Sequence, residues 1–364
     1  MPDARERRLA AVADLLTREQ LDGLLISGAA NIRYLSGFSG SSGLMFVSQH
    51  ERLLITDYRY SAQAAAEVSG VARVLIEEHS LWAGLWQQLA AMPHVRSAGF
   101  ESGYLVHRDF QRLLESGSRW QWRPTTGLIE SLRERKDVEE LGHLREAVAC
   151  AESALELTAS RIRAGMSELE IAGVLESSLR QMGSEEFAFA SIVASGPNSA
   201  KPHGRPTHRV LRDGELLLHD FGARVAGYCS DITRTFVAGR ADARQQEVHD
   251  VVRLANERAS AAIRPGMSGR DADRVARGYI EDRGFGDWFG HSLGHGIGLE
   301  VHEAPRLART AETALAEGSV VTVEPGIYLP EWGGVRIEDD VHLGADGAEV
   351  LTRFPRELIA VGKA

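Results

Sequence analysis

The sequence is poor in the residues that mark several specialised classes of protein. It contains two cysteines, Cys150 and Cys229, which are too few for a disulfide framework and wrongly spaced for a zinc site. No apolar run approaches the roughly 20 residues of a membrane span, and the helical pattern at residues 1–20 lacks the uninterrupted apolar segment of a signal peptide. We therefore expect a soluble, cytoplasmic protein without a membrane partner.

Positive charge is scarce as well. The chain has 41 Lys and Arg against 51 Asp and Glu, a formal net charge of −10, so a generic nucleic-acid surface is not expected. Hydrophobic residues make up 43% and charged residues 25%, as in ordinary globular proteins, which excludes a disordered, collagen-like or coiled-coil chain. The 364 residues are enough for two domains.

The N-terminal third alternates short apolar runs with amphipathic stretches. Strand patterns occupy residues 21–27, 43–48, 53–56, 71–76 and 96–100, and helix patterns occupy residues 60–68, 81–91 and 108–115. This alternation predicts a small α/β domain with a central sheet over residues 1–132. The glycine-rich stretch 35–43 lacks the features of a phosphate-binding loop and is predicted to be a plain connection between strands.

Residues 133–364 have a different texture and are predicted to form a second, catalytic domain. A long helix over 138–163 and a helix over 168–181 are separated by Gly-Met-Ser, and Ser167 with Glu170 fits a capping box. The same tripeptide follows a later helix, over 245–263, and strand patterns come after both units. The repetition suggests a duplicated α/β domain.

Two aspartates mark a strand pair in this second domain. Asp220 follows three leucines, and Asp231 lies in the next strand pattern. If the turn is centred between Val225 and Ala226, the two aspartates are directly opposed, with Cβ atoms roughly 5 Å apart on one face. A solvated hairpin is the ordinary alternative. After so apolar a run, however, two close carboxylates would repel each other strongly, and a bound cation would remove that repulsion.

A histidine cluster follows. His291, His295 and His302 lie within twelve residues and are interleaved with glycines. A single histidine here would be an ordinary core residue, whereas three beside glycines suit close approach to a ligand and coordination of a transition metal.

Two glutamates complete the set of candidate ligands. Alternation along their strand patterns places Glu324 on the same face as Thr322, and Glu338 on the same face as Arg336. Four carboxylates and one imidazole give oxygen-rich ligation, and their charge is better balanced by two divalent ions than by one.

These motifs together resemble the pita-bread metallopeptidases, in the branch that contains aminopeptidase P and prolidase. The resemblance extends over nearly the whole chain. It is carried by Asp220, by residues 231–235, 291–303, 323–328 and 334–339, and by the N-terminal stretch 31–38. It implies a pita-bread catalytic domain with duplicated helix–strand halves, preceded by a smaller creatinase-like α/β domain that serves in oligomerisation and pocket closure.

The resemblance also implies a set of metal ligands. By the family's pattern, Asp231 and Glu338 bridge two divalent ions, Asp220 completes one coordination sphere, and His295 and Glu324 complete the other. Manganese is favoured by the carboxylate oxygens, with cobalt or zinc as alternatives.

Catalytic roles follow from the same resemblance. His203, His291 and His302 match histidines that contact the substrate and stabilise the tetrahedral intermediate. Glu324 is expected to handle a proton, and Arg336 to orient and charge-balance the carboxylate of Glu338.

The activity that we predict first is removal of an N-terminal residue that precedes proline, an Xaa-Pro aminopeptidase acting as a homodimer. An Xaa-Pro dipeptidase is the closest alternative, because the two differ only in how the pocket closes behind the second residue. A metal-free creatinase-like hydrolase and a non-catalytic binding module are minor alternatives, and both would predict loss of the carboxylate ligands.

Overall fold

The computed structural model describes residues 3–362, and contacts divide the chain into two compact units, Met1–Arg133 and Glu134–Ala364. Within the described residues, no helix is both long enough and apolar enough to cross a membrane.

The first unit is built on one six-stranded sheet with the strand order β4-β3-β2-β1-β5-β6, in which β1 and β2 are antiparallel and β1 and β5 parallel. Every residue of β1 and β2 is buried, as expected for short, continuous apolar runs. The elements are α1 (Ala4–Glu19), β1 (Gly23–Ile26), α2 (Ala29–Ser36), β2 (Leu44–Ser48), β3 (Arg52–Asp57), α3 (Ser61–Glu67), β4 (Arg73–Glu77), α4 (Leu81–Ala90), β5 (Ser97–Glu101), α5 (His107–Glu115), β6 (Gln121–Thr125) and α6 (Leu128–Arg133).

The sequence patterns locate most of these elements but miss α2, β6 and α6. The first of these bears on a prediction about a loop. This helix ends with Gly37 in the left-handed region, at φ 82°, so the glycine-rich stretch 35–43 begins in the last turn of a helix. The prediction of a loop between two strands is therefore wrong at its start, and the connection runs from α2 to β2.

The second unit consists of two halves, each with a pair of helices followed by strands. The first half comprises α7 (Val138–Arg161), α8 (Glu168–Gln181), β7 (Ile192–Ser195), β8 (Leu216–Phe221), β9 (Arg224–Val225), β10 (Tyr228–Cys229) and β11 (Ile232–Ala238). Its sheet has the order β19-β11-β8-β7, where β19 is the C-terminal strand Ala360–Val361. The apolar sides of α7 and α8 pack with this sheet in one continuous core.

The second half repeats this plan with a different sheet. It comprises α9 (Ala243–Ala262), α10 (Gly269–Asp282), β12 (Gly294–Gly296), β13 (Glu303–Leu307), β14 (Val320–Val323), β15 (Gly326–Leu329), β16 (Gly333–Arg336), β17 (Asp339–Gly344) and β18 (Gly347–Val350). Five strands form a sheet of order β13-β12-β14-β17-β18, and β15 pairs with β16 in a separate ribbon. A second core joins these strands to α9 and α10.

The two Gly-Met-Ser segments have the same conformation. Gly165 and Gly266 have φ angles of 93° and 84°, a region that favours glycine. Ser167 and Ser268 are the N-caps of α8 and α10, and each accepts a hydrogen bond from a backbone N–H of the first turn. The repetition expected from the tripeptide is therefore present in the backbone.

The turn between the strands that carry the two aspartates differs from the prediction. Its central residues are Ala226 and Gly227, with φ angles of 47° and 81°, so it is centred one residue later than expected. A two-residue turn of this kind needs positive φ at both positions, and Val225 is β-branched and disfavours that region.

The shifted turn changes the strand register. Asp220 pairs directly with Thr233, and Asp231 lies two residues away from that partner instead of opposite Asp220. Because residues two apart share a face of a strand, both carboxylates still point to the same side of the sheet.

Candidate metal centre

Buried carboxylates and a histidine converge in the second unit. Asp231, His295 and Glu338 each offer a ligand atom, and these atoms all lie within 4.8 Å of one another. Both carboxylates are buried, with 5% and 2% of their surface exposed. The first half of the unit provides Asp231, and the second half provides the other two residues.

Both glutamates lie just outside strands, where the chain changes partner. Glu324 follows β14, and Glu338 stands between β16 and β17. The predicted continuous strand over 334–339 is therefore interrupted, because β16 pairs with β15 whereas β17 pairs with β14. Asn256 of α9 donates from Nδ2 to the backbone oxygen of Val323, at 2.8 Å, and ties this crossing point to the helix.

Hydrogen bonds from neighbouring strands hold the Glu338 carboxylate and the backbones of Glu338 and Asp231. The Thr233 hydroxyl donates to Oε2 of Glu338 at 2.6 Å, and the Glu338 N–H donates to the Thr233 backbone oxygen at 3.1 Å. The Asp231 N–H donates to Oδ2 of Asp340 at 3.1 Å. Each backbone is thus fixed by a residue from the other half of the unit.

His295 is oriented with one ring nitrogen toward the carboxylates. Its Nδ1 lies 3.0 Å from the backbone oxygen of Gly296, which fits an N–H on that nitrogen. Its Nε2 lies 3.5 Å from Oε1 of Glu324 and 3.9 Å from Oδ2 of Asp231. Burial lowers the pKa of His295 to about 4, so the ring is neutral at pH 7 and has a lone pair available for a metal.

The carboxylates show the signs of an unbalanced cluster. Burial, followed by repulsion from neighbouring carboxylates, raises the pKa of Asp231 and of Glu324 well above their usual values, and that of Glu338 to about 8. Oδ1 of Asp220 and Oδ1 of Asp231 are buried, and neither has a hydrogen-bond partner in the part of the chain that the structure describes. Buried anionic oxygens with no donor are what a divalent cation would satisfy, so the residues present fit such ions.

Arg336 is a buried cation whose guanidinium contacts a carboxylate next to this cluster. Its guanidinium donates to Oδ2 of Asp220, to the Tyr328 hydroxyl at 2.7 Å and to the Thr233 hydroxyl at 3.0 Å. The resemblance implies that Arg336 orients and charge-balances Glu338. The Glu338 carboxylate accepts a hydrogen bond from Thr233, and the charge of Arg336 acts against the rise in its pKa. Arg336 therefore orients Asp220 and affects Glu338 through its charge.

The remaining predicted histidines lie around the cluster. Nε2 of His291 is 2.9 Å from the Tyr328 hydroxyl, and its Nδ1 is 3.9 Å from Oε2 of Glu324. The ring of His302 lies 4.3 Å from that of His295, centroid to centroid. His203 is exposed, but its charge contributes to lowering the pKa of both His291 and His302, after the larger effect of burial.

Three residues near the cluster were not expected to have a role: Thr233, Tyr328 and Asp340. Tyr328 is buried between Arg336 and His291, and burial raises its pKa to about 12, so it stays a neutral hydroxyl. The alternation that groups Arg336 with Glu338 could also have indicated Thr233, which lies two residues after Asp231. No local pattern indicates Asp340.

Comparison with known proteins connects this site to a family. The model of metallopeptidase family M24 matches residues 142–345, and the model of the creatinase/prolidase N-terminal domain matches residues 8–135. These matches confirm the resemblance and the expected fold, a creatinase-like α/β domain before a pita-bread domain. Membership of a metallopeptidase family implies divalent metal ions, which agrees with the donor set described above.

Individual relatives cover almost all of the chain. A protein named Xaa-Pro dipeptidase from Pyrococcus horikoshii is 33% identical over 359 residues, which is 98% of this chain and 100% of the relative. A solved structure described as Xaa-Pro dipeptidase from Bacillus anthracis has a TM-score of 0.94 and 38% identity, covering 98% of this chain and 100% of its own. One described as X-Pro aminopeptidase from Thermotoga maritima has a TM-score of 0.91 and 38% identity, covering 97% and 99%.

Proposed function

We propose, from the premise that this chain belongs to metallopeptidase family M24, that it hydrolyses the peptide bond before a proline, with Xaa-Pro dipeptides as its preferred substrates. The observation that carries the proposal is the cluster of buried, unbalanced carboxylates around Asp231, His295 and Glu338. A creatinase-like or purely binding function would not need these carboxylates, and all of them are present.

The proposed ligands hold two divalent ions, for which manganese is the first candidate. Asp231 and Glu338 would be shared between the ions, Asp220 would complete the ligands of one, and His295 and Glu324 would complete those of the other. When bound, such ions supply Lewis-acid activation of the scissile carbonyl and of water.

The chain's own residues perform the remaining tasks. His291 is neutral because burial lowers its pKa to about 4, so it can donate a hydrogen bond without carrying a charge. His302 and His203 border the same space and are proposed to contact the substrate and its developing oxyanion. Glu324, whose pKa is raised by burial, is the group suited to hold a proton during the reaction.

A preference for dipeptides over longer peptides is the finer part of the proposal. Relatives from Pyrococcus horikoshii and Bacillus anthracis are named Xaa-Pro dipeptidases. Within this chain, Arg306 is exposed, pairs with His295 in the strand register and helps to lower the pKa of His302. A cation beside His302 suits the free carboxylate that a dipeptide presents and a longer peptide lacks. Aminopeptidase activity is the second candidate, favoured by the relative from Thermotoga maritima.

Cleavage assays separate these activities. Chelator-treated enzyme is assayed by mass spectrometry with Ala-Pro, Ala-Pro-Ala and the proline-free control Ala-Ala, with and without added Mn²⁺. We expect Mn²⁺-dependent cleavage of Ala-Pro above the other two, and a smaller preference for it in Arg306→Ala. Faster cleavage of Ala-Pro-Ala supports the aminopeptidase, and no cleavage of either proline peptide overturns the proposal.

The N-terminal domain, over residues 1–132, is proposed to be non-catalytic and to serve in forming a homodimer in the cytoplasm. Nothing in this proposal assigns it a metal ligand, since all candidate ligands lie beyond residue 219. Light scattering of the purified full chain tests the dimer, and a monomer at micromolar concentration would contradict it.

A further inference from the structure

A buried carboxylate outside the metal cluster has an unusual set of partners. Glu168 is the first residue of α8, directly after its N-cap Ser167, and none of its surface is exposed. An acidic residue in the first turn of a helix ordinarily faces solvent and interacts with the helix dipole. Glu170 has that ordinary role, because its side chain accepts the Ser167 N–H at 2.7 Å in the capping box.

Glu168 instead joins two distant points of the chain. On one side, Oε1 accepts hydrogen bonds from the Ser195 N–H at 2.7 Å, the Ser195 hydroxyl at 2.9 Å and Nδ2 of Asn198 at 3.1 Å. On the other side, Oε2 accepts the Thr207 N–H at 3.0 Å and the Thr207 hydroxyl at 2.6 Å. One carboxylate therefore closes the base of the segment 198–207, which we call the His203 loop.

The His203 loop has no strand or α-helix of its own beyond residue 200. At its middle, the backbone oxygen of Pro202 accepts a hydrogen bond from Arg336, at 3.3 Å. The same arginine also donates to the Tyr328 hydroxyl at 2.7 Å, and that hydroxyl lies 2.9 Å from Nε2 of His291. The next residue of the loop, His203, is exposed, and its charge helps to lower the pKa values of His291 and His302. The backbone of the loop is also held, because the Leu169 N–H donates to the Thr207 backbone oxygen at 3.1 Å and the Gly334 N–H donates to the Ser199 hydroxyl at 2.8 Å. Glu168 is the side chain that joins both sides of the loop base, and the arginine of the metal centre holds the loop near its tip.

We propose that Glu168 is a positioning residue that fixes the His203 loop, so that His203 stands beside His291 and His302. Hydrogen bonds to a carboxylate are stronger than those to a neutral acceptor, and a neutral amide offers an acceptor to only one side of the loop base. The attachment itself rests on the geometry above, whereas its consequence for catalysis rests on the proposed function.

Hydrogen–deuterium exchange of the metal-free full chain tests the attachment without any assay of activity. Glu168→Gln keeps the size of the side chain but leaves either Ser195 or Thr207 without its acceptor. We expect exchange across residues 195–207 to speed up by about tenfold or more, while exchange in the body of α8 stays unchanged. The matched control, Glu170→Gln, alters the cap of the same helix and should leave the loop unchanged. Unaltered loop exchange in Glu168→Gln overturns the proposal.

A double-mutant cycle on kcat/KM tests the consequence. A displacement of about 1 Å at a substrate-contacting group can cost a hundredfold in rate, so we expect Glu168→Gln to lower kcat/KM by about ten- to a hundredfold. In a His203→Ala background, the same change should cost less than about threefold. Equal losses in both backgrounds would show that Glu168 does not act through His203, which overturns the positioning role.

A second variant checks that the effects of Glu168→Gln do not arise from a general loss of folding. Thr207→Val removes the hydroxyl that donates to Glu168 at 2.6 Å and that also accepts the Arg209 N–H at 3.1 Å and Nδ2 of Asn198 at 3.4 Å. This variant should loosen the loop and lose its effect in the His203→Ala background in the same way. If the wild-type chain cleaves no proline peptide, the proposed function fails, while the exchange measurements still decide whether Glu168 holds the loop.

Discussion

The two halves of the second unit share a helix–turn–helix segment, which we call the corner, but differ in what packs against it. In both, a long helix ends, a Gly-Met-Ser segment follows, and a shorter helix begins. The N–H of Gly165 donates to the backbone oxygen of Leu211 at 3.1 Å, and the N–H of Gly266 donates to that of Leu315 at 2.8 Å. The backbone of the corner is therefore repeated, down to its tertiary hydrogen bonds.

The side chain at the first helical residue is what differs. The first half has Glu168, whose carboxylate holds a loop, and the second half has Gly269. A Cβ at Gly269 would lie 2.0 Å from the backbone oxygen of Arg306, so strand β13 passes directly against this helix. A strand can be held by backbone packing against a glycine. The loop in the first half is held by backbone hydrogen bonds from α8 and in addition by the acceptors of the Glu168 side chain, and this added side chain separates the halves.

The halves also provide different metal donors. Two aspartates come from the first half, and a histidine and two glutamates come from the second. If ions are shared across the halves, losing a proposed shared ligand from either side should have the same effect. We expect Asp231→Asn and Glu338→Gln each to lower kcat/KM by about a thousandfold or more, which corresponds to the several kcal/mol that metal ions contribute to such reactions.

Measurements of bound metal and of melting temperature show whether Asp231 and Glu338 act as metal ligands or as structural residues. Without metal, both variants should be as stable as the wild type or more stable, because each removes a charge from a buried, repelling cluster. The stabilisation gained on adding Mn²⁺ should shrink, as linkage requires. Glu247→Gln, at an exposed position on α9, serves as the control. A metal-free melting temperature that falls in Glu338→Gln alone would identify this residue as a structural one and not a shared ligand.

The second comparison concerns acid stability. His249 of α9 occupies the position of Val148 in α7, at the same spacing of 101 residues that relates the two glycines. Both ring nitrogens of His249 are buried without a hydrogen-bond partner, and burial lowers its pKa from 6.5 to about 4. In the unfolded chain, His249 is protonated below pH 6.5, whereas in the folded chain it is protonated only below about pH 4. The free energy of unfolding therefore falls as the pH falls through this range.

At about 1.4 kcal/mol per pKa unit, this residue accounts for a loss of up to roughly 3 kcal/mol between pH 6.5 and pH 4. Chemical denaturation across that range should show a shallower pH dependence in His249→Val than in the wild type. The converse variant, Val148→His, should make the dependence steeper. Parallel curves for wild type and His249→Val would show that His249 takes up its proton as readily in the folded chain.

The sequence patterns predict the repeated corner and the metal donors for a common reason, which is that both depend on local spacing. In the Gly-Met-Ser segments, the glycine and the serine themselves indicate the local backbone conformation. The alternation along the chain groups Arg336 with Glu338 on one side, although the strand between them is interrupted. The turn at Ala226 and Gly227 was misplaced by one residue, because Ala-Gly is a weaker turn signal than Asn-Gly or Asp-Gly.

Glu168 shows where such prediction fails. From its position alone it resembles any acidic residue in the first turn of a helix, and Glu170 has the same character two residues later. Its partners lie 27, 30 and 39 residues further along the chain. Only the folded arrangement of α8, β7 and the His203 loop brings them to one carboxylate, and no periodicity in the sequence records that arrangement.

The third comparison tests the close packing of the second corner. Gly269→Ala places a methyl group against a backbone oxygen, which cannot move without displacing strand β13. Overpacking of this kind typically costs about 1–3 kcal/mol of unfolding free energy. Gly278→Ala in the same helix is the matched control, because no atom lies within 4 Å of its Cβ position and alanine favours a helix by up to about 1 kcal/mol. If both variants are equally stable, the strand does not depend on this glycine.

The smallest expected effect is the difference between Gly165→Ala and Gly266→Ala. Both glycines have φ angles in the left-handed region, 93° and 84°, and no atom of the described residues 3–362 lies within 4 Å of either Cβ position. An L-residue in this conformation costs about 1–2 kcal/mol, and neither substitution adds a steric term. Each variant should therefore lose about 1–2 kcal/mol in chemical denaturation, and the two losses should agree within about 0.5 kcal/mol, the usual scatter for independent sites. A loss of unfolding free energy in only one variant would show that the two corners have the same backbone geometry but do not contribute equally to stability.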